Sequence, residues 1–119
     1  MKVKQLVCKA VQILEDKKAR DIITINIADV SIIADYFVIC SGTSTTHIRS
    51  LADEIIEKFE NEGFYPYHIE GYSFSRWILL DYGDFIVHIF HEEDRNFYNL
   101  ERLWCDGEIV EHSSISRYV

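Results

Sequence analysis

The chain has 119 residues, 48% of them hydrophobic and 27% charged, the size and balance of one globular domain with its own core. Asp, Glu, Lys or Gly interrupts every apolar run well short of the roughly 20 residues that span a bilayer, and residues 1–9 lack the apolar core and cleavage site of a secretory signal, so a cytoplasmic location is expected. The formal charge of −8 is uneven, +4 over residues 1–20 and −12 over residues 21–119, so the acidic body disfavours direct nucleic-acid binding and suits a basic protein partner.

Taken in order, residues 2–18 place Val3, Leu6, Val7, Ala10, Val11 and Leu14 at helical spacing with Lys and Gln opposite. This predicts an amphipathic helix that covers a sheet. Residues 21–27 are β-branched and alternate from Ile23 to Ile27, the pattern of a strand. After a link at 28–34, residues 35–40 are continuously apolar, as a central strand buried on both faces would be.

That strand runs into Ser41-Gly42-Thr43-Ser44, and then Ile48, Leu51, Ala52, Ile55, Ile56 and Phe59 mark a second helix. Thr43 or Ser44 is its natural N-cap and Gly63 its natural stop. Residues 65–69 read as a short edge strand, because Pro66 cannot donate to a ladder. Residues 71–75 form a loop.

Residues 76–90 hold two apolar runs around a turn containing Gly83, the signature of a β-hairpin. Trp77, Leu79 and Asp81 share one face of the first strand, and Ile78 and Leu80 the other. A strand greasy on both sides needs two covers, the chain's own helices and a second that a partner can supply. The turn fits a two-residue loop, pairing Trp77 with His88 and Leu79 with Ile86, or a three-residue loop with a bulge. Beyond Phe90, Asp94 can cap a short helix with Phe97, Leu100, Leu103 and Trp104 on its apolar side, ended by Gly107. From Glu108 on, a polar stretch containing Ser113, Ser114 and Ser116 reads as a frayed tail.

Candidates for chemistry are few. The Ser41 to Ser44 turn could hold a phosphate at a helix N-terminus, and its strand-turn-helix order resembles nucleotidyltransferases. No Gly-Lys-Ser/Thr follows, and no carboxylate pair for magnesium is visible, since Asp53 and Glu54 lie on the helix. His88 and His91 are three apart on one strand and so face opposite ways, which speaks against a shared metal. Cys8, Cys40 and Cys105 are an odd set with no close pair, read as reduced packing thiols. The remaining candidate is a surface of Trp, Tyr and Arg, the residue types that dominate interfaces: Trp77 with Asp81, then Arg95, Tyr98, Glu101, Arg102 and Trp104.

Four blocks together, residues 35–44, 77–84, 87–90 and 95–104, resemble the ribosomal silencing factor family, also called RsfS or Iojap. The match runs from about residue 3 to 104, which divides the chain into a family domain, 1–104, and a C-terminal tail, 105–119. The resemblance implies an α+β fold: one mixed sheet of about five strands with helices covering one side, in the order α-β-β-α-β-β-β-α, like a nucleotidyltransferase without its catalytic carboxylates. It implies a non-enzymatic factor with no cofactor or metal. Such a factor binds the fourteenth large-subunit ribosomal protein and sterically blocks joining of the small subunit, repressing translation when nutrients are scarce. It also implies self-pairing as a homodimer. The docking residues expected are Trp77, Leu79, Asp81, Tyr98, Glu101 and Arg102.

Overall fold

The computed structural model describes residues 2–29, 32, 34–94 and 108–110. Within these, the chain runs α1 (Val3–Asp16), β1 (Arg20–Asn26), β2 (Tyr36–Gly42), α2 (Thr45–Glu60), β3 (His68–Glu70), β4 (Trp77–Asp81), β5 (Phe85–His91) and β6 (Glu108–Val110). The strands form one mixed sheet in the order β3-β4-β5-β2-β1-β6. Its central pair, β2 and β5, is parallel, and the other pairs are antiparallel. The expected α+β architecture with helices on one side is therefore the one observed.

The two helices end where their sequences say they should. Ser44 caps α2, its Oγ accepting from the backbone N–H of His47 at 3.0 Å. At the other end Gly63 takes φ +86°. The N–H of Gly63 then reaches the carbonyl of Glu60 and that of Phe64 the carbonyl of Phe59, a Schellman closure. One face of each helix enters a core made with the sheet: Leu6, Val7, Val11 and Leu14 from α1, and Ile48, Leu51, Ile55 and Phe59 from α2. They pack on Val38, Cys40, Ile78, Leu80, Val87 and Ile89. Each such side chain, fully buried, contributes roughly 1.5–3 kcal/mol.

The opposite sheet face carries a second, smaller apolar cluster, Ile25, Ile27, Phe37, Ile39, Ile86 and Phe90, flanked by Ile23, Trp77 and Leu79. Most of this face is already buried within the chain. The second cover expected from a partner is thus needed only along its partly exposed rim.

Two expectations need amending, and a third is not reached by the described residues. The hairpin pairs Trp77 with Phe90, Leu79 with His88 and Asp81 with Ile86, two residues away from the first register considered. Gly83 is the cause: its positive φ makes it the first residue of the Gly83-Asp84 turn, closed by the N–H of Tyr82 on the carbonyl of Phe85. A shift of two residues keeps every side chain on its expected face. The frayed tail gives way at Glu108–Val110 to β6, which pairs with β1 and completes the sheet edge. The short helix expected at about 94–104 lies outside the described residues from 95 on.

Candidate functional site

The partly exposed rim is built on β4. Ile78 and Leu80 enter the helix-side core and are fully buried, while Trp77, Leu79 and Asp81 alternate with them and remain partly exposed. Strand geometry alone separates the two sets.

Trp77 rests on a shelf supplied by β5. Its ring stacks on that of Phe90, its cross-strand partner, with centroids 4.9 Å apart and 26° between the planes. Its indole Nε1–H donates to His88 Nδ1 at 3.1 Å. The His88 ring is 3% exposed and stands edge-on to Phe37 at 4.7 Å. Because Nδ1 accepts, the imidazole proton belongs on Nε2. That Nε2 is buried with no hydrogen-bond partner among the described residues. Burial pushes the His88 pKa down to about 4 from 6.5, so the ring is neutral at physiological pH.

Asp81 has a structural task as well. Its Oδ1 accepts from the N–H of Gly83 at 2.8 Å and so helps close the turn. At the start of β4, Arg76 pairs with Asp94 through two hydrogen bonds, Nε to Oδ2 at 2.6 Å and Nη2 to Oδ1 at 2.8 Å, and reaches Glu93 at 3.4 Å. The guanidinium holds the Asp94 carboxyl below the usual carboxylate range. The approach to the strand is fixed by Gly71: at φ +79°, an added Cβ would lie 2.0 Å from the carbonyl oxygen of Trp77.

Of the expected docking residues, Trp77, Leu79 and Asp81 come together on this rim. Tyr98, Glu101 and Arg102 lie outside the described residues, as does Trp104. Sequence reasoning offered His88 as the cross-strand partner of Trp77 in one register and weighed it as a metal ligand, but missed it as the acceptor of the indole N–H, which it reaches diagonally while Phe90 stands opposite. The signal available was alternation along β5, which puts Ile86, His88 and Phe90 on the Trp77 side. Arg76 and Asp94 were missed as a pair because Asp94 reads locally as a helix cap.

The other candidates resolve into structure. In the Ser41 to Ser44 turn, the N–H of Thr43 donates to His47 Nδ1 at 3.0 Å and that of Ile48 to the carbonyl of Ser44 at 2.9 Å. With the Ser44 cap, these bonds occupy the N–H groups of Thr43, His47 and Ile48. Asp53 accepts from the Tyr72 hydroxyl at 2.9 and 3.1 Å, tying the loop before β4 to α2. His88 and His91 face opposite ways on β5, and among the described residues no three His, Cys, Asp or Glu side chains gather into a metal site. Cys8 and Cys40 are buried in the helix-side core, and burial pushes the Cys8 thiol up. Among the described residues no helix is long and apolar enough to cross a membrane.

Comparison with known proteins is consistent throughout. The family model for the ribosomal silencing factor during starvation matches residues 1–118. The ribosomal silencing factor RsfS of Halalkalibacterium halodurans is 40% identical over 111 residues, covering 93% of this chain and 95% of that protein. A mouse protein named for mitochondrial assembly of the ribosomal large subunit is 35% identical over 97 residues, covering 79% of this chain and 42% of its own. A crystal structure from Chromobacterium violaceum superimposes with a TM-score of 0.85 at 28% identity, covering 87% of each chain.

Proposed function

Because the chain belongs to the ribosomal silencing factor family, whose members are ribosome-associated regulators and not enzymes, we propose that it silences translation by occupying the large ribosomal subunit. Its target is a basic large-subunit protein, the fourteenth, on the face that meets the small subunit. Occupying that face blocks subunit joining and lowers translation when nutrients are scarce. The family match over residues 1–118 is the observation that carries this reading. The name of the mouse relative, which refers to the large subunit, supports the choice of subunit.

The rim of Trp77, Leu79 and Asp81 is the docking face, with Tyr98, Glu101 and Arg102 completing it. A partly exposed Trp braced on aromatic neighbours is the kind of anchor that dominates interfaces. Apolar contact supplies most of the affinity, since an exposed ion pair contributes only about 0–1 kcal/mol. The acidic body adds steering toward a basic partner. Blocking is steric, so neither cofactor nor metal enters. The site of action is the cytoplasm. Self-pairing through the same rim would make the homodimer and the ribosome-bound form mutually exclusive.

Pelleting tests the target. The purified protein should sediment stoichiometrically with isolated large subunits and be released by an excess of the free fourteenth protein. A folded protein that stays in the supernatant overturns the reading.

A further inference from the structure

On the helix-distal sheet face, His88 is buried among apolar side chains. Around His88 stand Phe37, Ile39, Ile86 and Phe90, all buried. An imidazole in such a place, with Nε2–H buried and without a partner among the described residues, costs the fold stability that an aliphatic side chain would not. The bond to His88 is made by a partly exposed residue. What the bond adds is orientation. Stacking on Phe90 fixes the plane of the indole but not which edge of the ring faces inward. Only one of the two flips about χ2 brings Nε1 to His88 Nδ1.

We propose that His88 is a positioning residue for docking, holding the Trp77 indole in a single orientation and thereby presenting one shape to the partner's pocket. This rests on the reading of the Trp77 rim as the docking face. Its energetic logic is preorganisation: fixing a side chain before association spares roughly 0.5–1.5 kcal/mol, or up to about tenfold in affinity.

Two substitutions separate orientation from stability. His88→Leu keeps apolar bulk and removes the acceptor; His88→Asn keeps an acceptor at the Nδ1 position and leaves a void. If His88 positions Trp77, the Leu variant unfolds at the same or a higher denaturant midpoint yet binds large subunits about tenfold more weakly. The Asn variant unfolds earlier yet binds within about threefold of the wild type, rescued by its acceptor. A third readout is the Trp77 indole N–H resonance, identified by its loss in Trp77→Phe. It should move toward the position of a water-bonded indole in the Leu variant and stay near its original place in the Asn variant.

Affinity that follows stability, with Asn the weaker binder, would reduce His88 to packing and overturn the proposal. So would wild-type binding by both variants while Trp77→Ala binds poorly, and that outcome leaves the docking face standing. Wild-type binding by Trp77→Ala removes the docking face itself and the proposal with it.

Discussion

Lowering the pH should destabilise the protein through one buried ring, and the size of the effect follows from the structure. The folded His88 has a pKa of about 4 against 6.5 when unfolded. Its pKa is lowered on folding, so the unfolded chain takes up the proton first. The contribution is fully present above the unfolded value and is lost as pH falls through 6.5 toward 4. Protonating the folded ring would also place a hydrogen on Nδ1, where the Trp77 N–H now donates. At 1.36 kcal/mol per unit of pKa shift, the loss is about 1.3 kcal/mol between pH 7.5 and 5.5 and about 3 kcal/mol by pH 4. The upper interval is the useful one, because it stays above the isoelectric point near 5.0. Urea unfolding followed by far-ultraviolet circular dichroism at both pH values, on wild type and His88→Leu, gives the comparison. The other four histidines are present in both proteins, so their contributions cancel in the difference. Wild type should lose about 1.3 kcal/mol more than the variant. Parallel losses in the two proteins would mean that His88 is not a neutral, desolvated ring in the fold, and the tautomer argument would fail with it.

Three other outcomes are expected. Trp77→Ala, at a partly exposed position, should leave the fold intact but weaken binding to large subunits by roughly 30- to 1000-fold, about 2–4 kcal/mol, as measured by sedimentation; unchanged affinity would remove Trp77 from the interface. Association should slow as salt rises, because an acidic body steers toward a basic partner, and a stopped-flow on-rate that ignores ionic strength would reject that steering. Gly71→Ala and Gly63→Ala share a positive φ but not their surroundings. Nothing lies within 4 Å of a Cβ at Gly63, whereas one at Gly71 meets the Trp77 carbonyl. Thermal melts should therefore show a loss of about 1 kcal/mol at Gly63 and more than about 2 kcal/mol at Gly71. Equal losses would contradict the clash.

Local signals in this sequence were reliable and long-range ones were not. Ser44 and Gly63 bound α2 because caps act within a turn of the chain. The two-sided burial of β2 was legible from its unbroken apolar run, since a strand at the centre of a sheet touches protein on both faces. Alternation along β4 gave the Trp77, Leu79 and Asp81 face without any knowledge of the register. The register itself was not legible: it depends on which loop position Gly83 takes, and one glycine fits several turns. The His88 and Asp94 partners were hidden for the same kind of reason. Spacing along a strand says which way a side chain points, but not which neighbour stands opposite. β6 was invisible because Glu108–Val110 is too short to set up a pattern, and its identity as a strand comes from pairing with β1.

Subunit joining is the measurement that bears most directly on silencing. Isolated large and small subunits would be mixed in magnesium buffer and joining followed by light scattering, with and without the protein bound to the large subunit beforehand. Occlusion predicts that wild type suppresses joining in proportion to its occupancy, that excess small subunit partly restores it, and that Trp77→Ala suppresses only at much higher concentration. Full joining on large subunits demonstrably saturated with the protein would show that it binds elsewhere, and would contradict silencing by occlusion.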